Sequence, residues 1–70
     1  MNDYLIIYEQ GEEGGWGAFS PDVDGVIAVG RTRSEVECRM QEAMAAHLKV
    51  LREQGLPVPP ARTTHGYLAA

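Results

Sequence analysis

The side chains that could do nucleophilic, acid–base or metal chemistry are few: Cys38, His47, His65, and the closely spaced Asp22 and Asp24. A metal centre needs three or four ligands at characteristic intervals, and Cys38, His47 and His65 have no such spacing. No histidine neighbours Cys38, and Arg39 beside it is a thin basis for a reactive thiolate. Asp22 and Asp24 share a turn with Pro21 and Gly25 and lack a partner acid on a strand, so turn chemistry accounts for them. Gly11, Gly14 and Gly15 resemble a phosphate loop only superficially. They precede a strand rather than a helix, and Glu12 and Glu13 among them repel an anion. No Ser/His/Asp order or nucleophile elbow is present. The sequence therefore predicts no catalytic residue, no metal and no cofactor.

The elements around these residues read clearly. Residues 4–9 (YLIIYE) are β-branched and aromatic and predict a strand. A polar, glycine-rich turn over 10–15 leads to a second strand over 16–20 (WGAFS), which makes a hairpin. Residues 21–25 (PDVDG) predict another turn, and 26–29 (VIAV) a third short strand ended by Gly30. Thr32 and Glu35 have the spacing of a capping box, with Ser34 and Glu37 as a second candidate. Val36, Met40, Ala43, Met44, His47, Leu48 and Leu51 then recur at steps of three and four and form one apolar stripe. Gly55 is placed to end the helix, with Pro57 beyond it. A helix over about 33–54 is about 33 Å long. Residues 56–64 hold three of the four prolines and should run extended toward a last strand over 66–69 (GYLA).

The expectation is one α+β domain over residues 1–70. It has a small three- or four-stranded, mainly antiparallel sheet within residues 3–30, one long helix on one face, and an extended proline-rich tail, in the order βββα with a fourth β at the end. Alternation puts Tyr4, Ile6, Tyr8, Trp16, Ala18, Val26 and Ala28 on one face of the sheet. Leu5, Ile7, Phe19, Ile27 and Val29 fall on the other. Both faces are apolar and a single helix covers one. The uncovered face would expose on the order of several hundred Å² of apolar surface, more than a monomer normally tolerates. Leu5, Ile7, Phe19, Ile27 and Val29 are therefore expected to form a homo-oligomer interface, of a dimer or a tetramer. The alternative is that the segment after Gly55 folds back to shield them.

Composition sets further limits. A chain of 70 residues supports one small core, with about 3 to 5 kcal/mol of stability unless it is stapled. One cysteine excludes an internal disulfide. A net charge of −4 argues against nucleic acid as the main partner and fits a basic protein instead. No apolar run approaches the ~20 residues of a membrane span, and no signal peptide opens the chain. A cytoplasmic location is expected.

The ordered series Gly14-Gly15-Trp16, Ala18, Pro21-Asp22, Gly25, Gly30 and Thr32, followed by the helix with Glu35, Glu42 and Ala43 and its exit over 51–59 (LREQGLPVP), resembles the signature of HicB-family antitoxins. The resemblance covers about residues 3–60. Asp24 stands where the family often has proline, Val26 where it often has cysteine, and Arg31 where it often has aspartate. The resemblance implies a partial RNase H-like βββαβ fold without nuclease carboxylates, and oligomerisation. It also implies a non-enzymatic role: the antitoxin binds and masks a small basic HicA-like toxin, an mRNA interferase. Many members continue into a DNA-binding domain; this chain stops at Ala70, so no direct DNA binding is expected. The toxin-binding residues expected from the acidic balance are Glu12, Glu13, Asp22 and Asp24, with Trp16 as an anchor. The competing reading is an orphan homo-oligomeric structural or ligand-binding module with no toxin. A neighbouring reading frame for a small basic protein would separate the two.

Overall fold

The computed structural model describes residues 3–70, in the order β1 (Ile7–Gln10), β2 (Trp16–Ser20), β3 (Val23–Gly30) and α1 (Arg33–Glu53). The strands form one antiparallel sheet in the order β1-β2-β3. Ile7 lies opposite Phe19 and Phe19 opposite Ile27, while Tyr8, Ala18 and Ala28 make the adjacent row. Because side chains alternate across a sheet, these two rows face opposite sides.

The helix takes the side predicted for one of the two apolar sets. Ala18, Val23, Val26 and Ala28 of the sheet are buried against Val36, Met40 and Met44 of α1, with Tyr4, Ile6, Tyr8, Trp16, Ala43 and Leu48 packed around them. The stripe at steps of three and four brings Val36, Met40 and Met44 to one side of the helix, and these are its buried residues. The first capping box is the one used: Thr32 Oγ1 accepts from the Glu35 amide at 3.2 Å. Glu35 Oε1 accepts from the Arg31 amide at 3.4 Å rather than from Thr32 itself. At the other end Gly55 has φ +68, its amide donates to the Arg52 carbonyl, and Leu56 donates to Leu51. That pair of bonds is a Schellman motif, which requires a left-handed residue at Gly55.

Three expectations need correction. The first strand begins at Ile7 rather than Tyr4 and runs to Gln10. The stretch 21–25 is not a single turn. The chain reverses over Pro21-Asp22 alone, and β3 begins at Val23, which is fully buried. A register shift between Phe19 and Ser20 absorbs the extra residues of β3, with Gly25 at φ +82 inside the irregularity. Nor do residues 66–69 form a fourth strand. A strand needs an edge to pair with, and the tail is instead held across one end of the sheet. The Tyr4 hydroxyl donates to the Pro59 carbonyl, and Arg62 and Thr63 bind the Asp22 carboxylate. Beyond Thr63 every residue is exposed.

The tail does not shield the outer face of the sheet. Ile27 is 72% exposed, Val29 65% and Phe19 37%. Leu5 and Ile7 are half-buried. No helix among the described residues is long and apolar enough to cross a membrane.

Candidate protein-binding site

The β1–β2 connection is a tight loop whose tip carries two carboxylates. The Gly11 amide donates to Gly15 O at 2.7 Å, and the Gly14 amide to Gly11 O at 3.0 Å. Gly14 has φ +91, a conformation open to glycine and strained for other residues. This geometry leaves Glu12 and Glu13 exposed at the turn. Both line a wide cleft at this end of the sheet, together with Glu9, Trp16, Val29 and Arg31. Trp16 is half-buried and packs against the core as well, so its ring is fixed where it meets the cleft.

Of the expected binding residues, Glu12, Glu13 and Trp16 are thus brought together. Asp22 and Asp24 are not among them. They lie at the other end of β2, about 17 Å away for a five-residue strand. Asp24 is exposed. Asp22 is half-buried and already occupied: Oδ1 accepts from Thr63 Oγ1 at 2.6 Å, and Oδ2 accepts from the Thr63 amide at 2.8 Å and the Arg62 amide at 2.9 Å. The hydroxyl and amide of Thr63, with the amide and charge of Arg62, hold the Asp22 carboxyl below the ordinary aspartate range, against a smaller opposing effect of burial. Sequence reasoning recognised Asp22 as a turn residue and missed its partner 41 positions away. It also missed Arg31, whose adjacency to the loop follows from Gly30 lying opposite Trp16.

The remaining reactive side chains are scattered. Cys38 is exposed, with its sulfur 3.7 Å from Glu42 Oε1. His47 is half-buried on α1, and His65 stacks edge-on against Tyr67 in the tail. Among the described residues, no group of three or more His, Cys, Asp or Glu side chains is placed to hold a metal ion. What this chain displays is an acidic loop with an aromatic beside it, and an apolar sheet face. Both are features of protein recognition.

Comparison with known proteins agrees with that character. No curated protein matches the chain. A chain of a solved structure described as a HicA3 and HicB3 toxin-antitoxin complex is similar over 86% of this chain and 70% of its own length, at 30% identity and a TM-score of 0.68. A family model described as the HicB-like antitoxin of bacterial toxin-antitoxin systems matches residues 4–70. The chain belongs to the HicB-like antitoxin family.

Proposed function

We propose that this protein neutralises a small, basic, HicA-like RNA-cleaving toxin by covering its RNA-binding surface, with no catalysis of its own. The observation that carries the reading is the pairing of family membership with the loop geometry: Glu12 and Glu13 stand exposed beside a fixed Trp16. Carboxylates so placed can occupy positions that RNA phosphates would otherwise take on a basic enzyme, and a half-buried tryptophan is a frequent energetic anchor. Asp24 adds negative charge at the other end of the sheet, and Asp22 acts there indirectly, by fastening the tail. The solved relative is itself described as a toxin-antitoxin complex, which supports a toxin as the partner class.

In this reading the blocker is a homo-oligomer of two or four copies joined through Leu5, Ile7, Phe19, Ile27 and Val29, and it acts in the cytoplasm, where the RNA is. The test is to express the chain with any small basic protein encoded beside it and measure RNA cleavage. Equimolar addition should abolish cleavage. Unchanged cleavage at equimolar ratio would overturn the proposal.

A further inference from the structure

Among the described residues, the most exposed large apolar side chains fall on two surfaces. One is the outer row of the sheet, where Ile7, Phe19 and Ile27 sit side by side across three strands with Val29 next to them. The other is the end of the tail, where Tyr67 is 95% and Leu68 96% exposed. We infer that each covers the other between two copies of this chain: the 64–70 arm of one protomer lies across the outer sheet face of its partner, and the exchange is reciprocal. The inference rests on the oligomer reading above and adds what seals the interface.

Size is the first argument. Phe19, Ile27 and Val29 leave on the order of 300 Å² of side-chain surface in water, whereas a stable interface buries about 800 Å² per partner. With the half-buried Leu5 and Ile7 added, the apolar side chains of the face still supply only part of that area. Tyr67 and Leu68, almost wholly exposed, contribute roughly as much again, so face plus arm approaches the area a dimer needs.

Direction is the second. The arm starts at Thr63, which Asp22 grips with contacts of 2.6 and 2.8 Å. From there to Leu68 an extended chain reaches roughly 16 Å, enough to span a three-stranded sheet. Residues 57–70 form no helix, strand or turn, and among the described residues no turn or loop backbone hydrogen bond folds the arm back on its own chain.

Charge is the third. The arm sequence THGYLAA carries no acidic residue, lysine or arginine, so its side chains bring no formal charge toward the apolar row. The acidic loop, the strongest source of repulsion between two copies of net charge −4, lies at the end of the sheet away from Asp22. A face-for-arm exchange is isologous and closes at two.

The test uses single-cysteine chains on a Cys38→Ser background, one carrying Ile27→Cys and the other Leu68→Cys, mixed under mild oxidation. The expected result is a disulfide-linked species containing one of each chain. Absence of that mixed species overturns the exchange, as does an Ile27→Cys/Leu68→Cys double variant that closes within one chain. In parallel, sedimentation of the full chain and of its Tyr67→Ser/Leu68→Ser variant is compared at micromolar concentration. The variant should self-associate at least about 100-fold more weakly. Unchanged association overturns the arm while leaving the oligomer standing. A wild-type chain that sediments as a 7.7 kDa species overturns both.

Discussion

Thr63 donates both its hydroxyl and its amide to the carboxylate of Asp22, at 2.6 and 2.8 Å, across 41 residues of sequence. With the Arg62 amide on the same group, this clasp joins the tail to the turn between β2 and β3. Three donors on one carboxylate favour its ionised form, which is why the pKa of Asp22 is lowered.

The clasp is therefore sensitive to acid. A carboxyl whose folded pKa lies below its unfolded value of about 3.9 contributes stability above that value and loses it as pH falls through the folded pKa. The Thr63 amide should be protected from hydrogen exchange at neutral pH and lose protection only below about pH 4. Asp22→Asn should loosen residues 59–63 at every pH, and its exchange profile should be flat where the wild type changes. An identical acid response in both proteins would remove Asp22 as the cause.

Met40 is nearly inaccessible and spans the junction between helix and sheet. Met40→Ala leaves a cavity that so small a core cannot close, at a cost of about 2 to 4 kcal/mol. Since the whole domain has about 3 to 5 kcal/mol to lose, urea titration of the isolated variant should show a substantial unfolded fraction before denaturant is added.

Gly30 tests the junction between β3 and the helix. A Cβ built there would lie 2.7 Å from Glu35 Oε1 and 3.0 Å from Val36 Cγ2. Glu35 can swing aside only by releasing Arg39, 3.1 Å away, and the Arg31 amide. Val36 is fully buried and has nowhere to go. Gly30→Ala should destabilise by about 1 to 3 kcal/mol in a thermal melt. An unchanged melting temperature would show that the junction is looser than its distances indicate.

The loop carboxylates should act through the rate of encounter. Glu12→Lys/Glu13→Lys leaves the fold intact, since both side chains point into solvent. Association with the proposed basic toxin should slow by about tenfold or more at low salt, with a weaker dependence on ionic strength. Trp16→Ala should instead speed dissociation. Surface plasmon resonance at two salt concentrations separates the two effects.

Much of this was legible in the sequence because local rules fixed it. Thr32 and Gly55 bracket the helix through capping geometry, and the alternation of residues 16–20 and 26–29 determines which side chains meet α1. The family signature lies in those same turns and caps. What was not legible depends on partners distant in sequence. Val23 reads as a turn residue because proline, aspartate and glycine surround it, yet its burial follows from a three-residue bulge that only pairing with β2 defines. The tail reads as a returning strand because it is extended and ends in apolar residues. Its course is decided by Asp22, whose choice of Thr63 no local pattern encodes. For the candidate site, the loop cluster of Glu12, Glu13 and Trp16 follows from the hairpin. The separation of Asp22 and Asp24 from it follows from the length of β2.

The thinness of the buried layer has one more result. Seven apolar side chains and one serine, Ser20, are buried among the described residues. So modest an interior opens often enough for proteases to find the unfolded chain. Anything that grips only the folded form adds RT ln(1 + [L]/Kd) to its stability and closes that route. Any partner that holds only the folded form would therefore lengthen the life of the copies it holds.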